Sequence, residues 1–159
     1  MRQTNRRNAA RKILRRWAKI DEEIKAAESA YKALCDEVDA VAAIRAALPS
    51  TTQALTGMPH GGGSSDPTQV SAVRRVELGE LYRPRMELYN NKVKDGMRFK
   101  LKVQDAFVLV PTEAETVVIK HWRERKYMFD VAAEMNISES TAWRYERIVL
   151  DSIADEFNL

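Results

Sequence analysis

The sequence predicts an all-α protein in which a long N-terminal coiled-coil helix and a helical hairpin precede a C-terminal helix-turn-helix domain. Three observations carry that expectation. Apolar residues step by four and three from Ile13 to Val41; Gly-, Ser- and Pro-rich punctuation separates helical periods; and residues 112 to 159 carry two short helical patterns joined at Asn136. Four parts follow: a basic arm and coiled-coil helix over 1–48, a Gly/Ser-rich loop over 49–66, a second helix over 67–97 kinked near Pro84, and a helix-turn-helix domain over 98–159.

The first part opens on charge. Residues 1 to 19 hold eight basic side chains and no acid, although the whole chain carries only +3. Such a block attracts phosphate backbones or extends the next helix as a solvated face. Arg6, Arg7, Arg11 and Arg15 are the residues expected to form a phosphate-binding arm. Behind it, Ile13, Trp17, Ile20, Ile24, Ala27, Tyr31, Leu34, Val38 and Val41 keep a 3.5-residue spacing, with Leu48 one heptad beyond and Arg45 interrupting the seam. A helix of roughly 36 residues spans about 54 Å, too long to lie on a small globule. The stripe pairs either with a second copy or with the chain's own next helix.

Leu48-Pro49 closes that helix, because proline disfavours helical geometry in the residue before it. The loop beyond it has no lasting period. Helix resumes at Asp66-Pro67-Thr68-Gln69, where Asp66 caps, Pro67 suits the first helical position and Gln69 completes a capping box. Val70, Val73, Leu81 and Leu88 then point to one side; Gly79 weakens this helix and Pro84 is expected to bend or break it. It should fold back along the first helix and turn around Asp95-Gly96. Arg98 to Val103 alternates like a strand, but Phe99, Val103, Ala106 and Val110 also fit a helix, and helix is preferred because nothing nearby offers a strand partner.

The last part carries the functional expectation. Thr112 and Glu115 form a capping box before an apolar pattern at Ala114, Val117, Val118 and Trp122. A second helix begins near Tyr127 and buries Met128, Val131, Ala132 and Met135. Asn136 suits the left-handed geometry of a sharp turn, Ile137 plugs it, and Ser138 caps a final helix that buries Ala142, Tyr145, Val149 and Ile153. Ala132, Asn136, Ile137, Ala142 and Tyr145 have helix-turn-helix spacing. The opposite face presents Ser140, Trp143, Arg144 and Arg147 to the major groove, where either arginine can pair with a guanine edge, and Arg123 and Lys126 join them as expected DNA contacts. The plainer alternative is a helical hairpin whose arginines are merely solvated. Residues 103 to 159 hold eleven acids against six basic residues, so this module alone should bind weakly. Residues 74 to 102, with nine basic side chains against four acids, either supply phosphate contacts or neutralise acidic neighbours.

Leu55 to Thr68, with Gly57, Met58, Pro59, Gly61, Ser65, Asp66, Pro67 and Thr68, together with the flanking helices, resembles phage ArpU/RinA-type late-gene transcriptional regulators of Gram-positive bacteria. The resemblance covers about residues 50 to 159. The C-terminal module also resembles the promoter-reading helix-turn-helix of sigma factors. This implies a late-gene activator encoded by a phage or prophage.

Composition bounds the rest. With 45% hydrophobic and 31% charged residues and no window near the roughly 20 apolar residues of a membrane span, the chain is expected in the bacterial cytoplasm, off the membrane. Cys35 is alone, and neither His60 nor His121 has a partner at metal-ligand spacing, so neither structural zinc nor a cofactor is expected. His60 and Asp66 look like an acid-base pair but have no nucleophile nearby, and no enzyme is expected. The expected partners are double-stranded DNA, a second copy in a homodimer or higher homo-oligomer, and host RNA polymerase. Two other functions fit the pattern: a small terminase subunit of DNA packaging, and a helical scaffold that binds no DNA.

Overall fold

The computed structural model describes residues 2–47 and 67–159, with side chains over 3–44 and 76–159. The loop over 49–66, the Pro49 stop, the Asp66–Gln69 capping box and the side chains of Arg45, Val70 and Val73 lie outside the described residues. The described chain is helical, with α1 at Arg2–Trp17, α2 at Ile20–Ala47, α3 at Pro67–Val108, α4 at Thr112–Val118, a π-helical turn at Ile119–Arg123, α5 at Met128–Glu134 and α6 at Glu139–Glu156. None of the described helices is long and apolar enough to cross a membrane. The chain divides into one compact unit made of Met1–Lys25 and Val93–Leu159 and another made of Ala26–Lys92.

This division departs from the four consecutive parts expected. The N-terminal helix belongs with the C-terminal module, because its apolar side is part of that module's core. Ala10, Leu14 and Trp17 of α1 and Ile20 of α2 are buried with Val103, Ala106 and Phe107 of α3, Ala114 and Val118 of α4, and Val149, Leu150, Ile153 and Ala154 of α6. Trp17 meets Phe107 edge to face, with ring centroids 5.0 Å apart. The single long helix expected from the heptads is therefore interrupted at Ala18 and Lys19. A break there lets Trp17 and Ile20 both turn into one core, a gain that an uninterrupted helix serving one straight seam would forgo.

The expected turn at Asp95-Gly96 is absent: α3 runs through it without a break. Gly96 has another use. A Cβ atom built there would lie 2.7 Å from Ile24 Cγ1, so the bare backbone is what lets α2 and α3 approach so closely. Helix also continues through Pro84, whose exposed position leaves the unpartnered carbonyl one turn earlier within reach of water.

In the second unit, the hairpin partner expected for the α2 seam is found within the chain. Val38 and Ala42 are buried with Leu78, and Val41, Tyr82 and Met86 pack around them. Tyr82 donates to Glu37 Oε1 at 3.0 Å. The face of α3 used here is not the expected one: Leu81 and Leu88 are 71% and 53% exposed. Two apolar stripes share this helix, and the stripe with spacing of four, Leu78, Tyr82 and Met86, is the one that meets α2. Tyr31, expected in the seam, is exposed.

Candidate nucleic-acid interface

The presentation of α6 is fixed from its N-terminal side. Met128, Val131 and Ala132 of α5, Val117 of α4 and Ala142 of α6 form a small core, closed by Met135, Ile137 and Tyr145. Ala132 and Ala142 have no bulk beyond Cβ, which allows the close crossing the sequence anticipated. After α5 the chain reverses through Asn136, whose φ of 55° is left-handed. The Asn136 amide donates to Ala133 O at 3.2 Å and the Ile137 amide to Ala132 O at 3.0 Å. These two bonds make a Schellman closure, in which a left-handed residue lets the orphan carbonyls of a helix end be satisfied. Ser138 Oγ then accepts from the Thr141 amide at 3.2 Å and caps α6, as expected.

The upstream cap differs by one residue. Pro111, extended at ψ 144°, is the N-cap of α4, and no side chain caps it. Its carbonyl accepts from the Ala114 and Glu115 amides at 2.9 and 3.2 Å, so Thr112 is already helical and the Thr112–Glu115 capping box does not form. The π-helical turn at the end of α4 places Trp122 so that its Nε1 donates to Glu146 Oε1 at 3.2 Å. Glu146 is a buried carboxylate, 1% exposed. Its Oε2 has no hydrogen-bond partner among the described residues and sits 3.8 Å from Arg11 Nη2.

On the outer side of α6, Ser140, Trp143, Arg144 and Arg147 are all exposed. Arg144 has no hydrogen bond or ion pair among the described residues, leaving its five donors for a ligand. Arg147 Nε donates to Trp143 O at 3.2 Å, which steadies the guanidinium, and neither terminal nitrogen has a hydrogen-bond partner among the described residues. Trp143 Nε1 donates to Glu139 Oε1 at 3.0 Å, and its ring meets His121 with centroids 5.9 Å apart. Ser140, Arg144 and Arg147 line one open cleft with Thr141, Ile148, Asp151 and, from α1, Arg7.

The other expected contacts, Arg15 excepted, are engaged internally. Arg123 Nη2 lies 3.1 Å from Asp21, and its guanidinium stacks 4.1 Å above the Trp17 ring. Lys126 contacts Glu134 at 2.7 Å and Glu124 at 3.0 Å. Of the arm, Arg6 reaches Asp155 at 2.6 Å, Arg7 grips both oxygens of Asp151 at 2.7 Å, and Arg11 lies beside Glu146. Arg15 is exposed and has no partner among the described residues. The arm is thus an ordered helix running antiparallel to α6, since partner numbers fall on α6 as they rise on α1.

The carboxylates holding this arrangement are shifted as such pairing requires. Hydrogen bonds from Arg7 hold the Asp151 carboxyl below its ordinary range, and the same pairing raises Arg7. Asp21 is lowered, chiefly by the hydrogen bond from Lys100 and also by the charge of Arg123. Hydrogen bonds from Lys120 and then Lys126 lower Glu134 to about 2.

Sequence reasoning overlooked Glu146, Asp151 and Asp155 as the acids that seat α1. The only trace in the sequence is spacing: Arg7 and Arg11 are one turn apart on one helix, and their partners Asp151 and Glu146 are about one turn apart on the other. No protein-family model, curated protein or solved structure matches the chain. Functional assignment rests on the side chains themselves.

Proposed function

We propose that this chain is a sequence-specific DNA-binding transcriptional regulator of phage or prophage genes, an activator that works in the bacterial cytoplasm as a homo-oligomer, reading the major groove with the outer face of α6. The observation that carries this reading is the state of that face. Two arginines and a serine stand exposed on a helix whose approach is fixed by the Asn136 closure and the Ser138 cap, while Arg7, Arg123 and Lys126 are paired with acids. Unpaired guanidinium groups on a rigid helix suit bidentate pairing with a guanine edge, which contributes about 1–3 kcal/mol of discrimination per contact. The ArpU/RinA resemblance around Gly57 to Thr68 supports the phage or prophage assignment and leaves host RNA polymerase as a further partner.

Selection of bound duplexes from a random pool with the full-length protein should enrich one motif. Against that motif, Arg144→Ala should weaken binding at least about tenfold, with a much smaller loss on random duplex. Equal losses on both would reduce Arg144 to a phosphate contact. An absence of any enriched or shifted duplex would favour the scaffold reading, and a closed ring of about eight or more subunits in sedimentation would favour the packaging reading.

A further inference from the structure

The cleft beside α6 is built from two helices far apart in the sequence. Its wall carries three guanidinium groups (Arg7, Arg144 and Arg147), the hydroxyls of Ser140 and Thr141, and one carboxylate, Asp151, around the apolar Ile148. Formal charge in the cleft is therefore positive even after Asp151 is counted. At about 580 Å³ and open to solvent, it admits a chain-like anion.

We propose that this cleft seats a backbone phosphate of bound duplex DNA, gripped by Arg7 of α1 and Arg147 of α6, with Asp151 holding Arg7 in position and tempering its charge. The inference rests on the duplex-binding reading above and adds to it a contact from outside the helix-turn-helix. Three features carry it. Arg7 spends Nε and one N–H of Nη2 on Asp151, at 2.7 Å each, which leaves three donors in a plane that the carboxylate fixes. Arg147 is steadied by the Trp143 carbonyl and keeps its terminal nitrogens for a ligand. Ser138 Oγ lies 2.9 Å from Ser140 Oγ and 2.7 Å from Thr141 Oγ1, so the hydroxyls form a chain able to turn a proton toward an anion.

A phosphate suits this seat better than a base. Arg7 is anchored at the flank of the reading helix on another element, and an orienting contact held that rigidly senses a group common to every sequence. Asp151 is the adjustable part. Its side chain is 42% exposed and it contributes the cleft's sole negative charge, so it limits how strongly any duplex is held.

The test is salt-dependent binding of the full-length protein to a selected duplex and to a random one, with Arg7→Gln, Arg7→Lys and Asp151→Asn compared. Arg7→Gln should lower the slope of log affinity against log salt by about 0.9 and weaken both duplexes about eightfold near 0.1 M salt, leaving the selected motif unchanged. Arg7→Lys should keep the slope while losing part of the affinity. Asp151→Asn should tighten both duplexes a few-fold and steepen the slope. A purely structural ion pair gives the opposite sign: Asp151→Asn then weakens binding along with Arg7→Gln, and both melt earlier. That outcome, or an Arg7→Gln slope equal to wild type, overturns the phosphate seat while leaving the duplex-binding reading intact. Failure of wild type to bind any duplex at low salt overturns both.

Discussion

Two arginine-rich surfaces in the same compact unit have opposite fates. On α1, Arg6, Arg7 and Arg11 face carboxylates of α6, and their helix is locked down by Ala10, Leu14 and Trp17. On the outer side of α6, neither Arg144 nor Arg147 forms an ion pair among the described residues, although Asp151 shares their cleft. Charge density along a sequence measures potential, whereas pairing in the fold decides what is left for a ligand. The difference also accounts for the acid excess of the C-terminal module. Asp151 and Asp155 are seats for α1 that happen to lie on the helix proposed to read DNA, so paired with Arg7 and Arg6 they repel a duplex less than a bare −5 would suggest.

The largest effect expected from this contrast is on stability. Leu14 is fully buried in the joint core, and Leu14→Ala should cost about 3 kcal/mol in urea unfolding of the whole chain, whereas Arg144→Ala should change stability by less than about 0.5 kcal/mol. For the same reason residues 111 to 159 alone should fold poorly, since Val118, Val149, Leu150 and Ile153 lose the α1 and α3 side chains that cover them. Comparable losses from Leu14→Ala and Arg144→Ala would mean that α1 is not docked, and the arm would revert to a solvated extension.

A smaller effect belongs to the turn that aims α6. At Asn136 the left-handed φ is tolerable to asparagine, less so to a residue whose side chain offers no local hydrogen bond. Asn136→Ala should therefore destabilise by about 1 kcal/mol, and Asn136→Gly should be neutral or slightly stabilising. Thermal melts of the two variants settle the sign. If alanine were as good as glycine, the closure would not be constraining the chain, and the contrast between a fixed reading face and a merely exposed one would weaken.

What could be read from sequence follows the range of the interaction. The Asn136 turn, the Ser138 cap and the Ala132–Ala142 crossing depend on residues within ten positions of each other, and they appear where local chemistry places them. Seating of α1 depends on pairs 144 and 149 residues apart, such as Arg7 with Asp151 and Arg6 with Asp155. No local pattern distinguishes those arginines from a solvated arm. Gly96 shows the same limit in another form, since a glycine serves a turn and a close helix approach equally well, and only the presence of Ile24 decides between them. At Leu81 and Leu88 the amphipathic reading chose the wrong one of two stripes, because the sequence of one helix does not say which side its partner will cover.

The smallest effect sharpens the comparison at its other edge, where Lys120 and Lys126 converge on Glu134. These lysines would count as free cations near the proposed interface, yet they hold the Glu134 carboxyl at about 2, below its ordinary 4.5. A carboxyl depressed in the folded state adds stability that is present in full above the unfolded value and is lost as the pH falls through the folded one. Wild type should therefore lose its advantage over Glu134→Gln between about pH 4.5 and pH 2, with melting temperatures converging at the acid end. Because Glu134 is exposed and both lysines are only half-buried, the cluster should also lose part of that advantage in high salt. A difference between the two proteins that persisted unchanged to pH 2 would assign Glu134 a packing role in place of an electrostatic one. With the carboxylate gone, Lys120 becomes available to a duplex while Lys126 keeps Glu124, so Glu134→Gln should also steepen the salt dependence of DNA binding, and an unchanged slope would place this cluster outside the interface altogether.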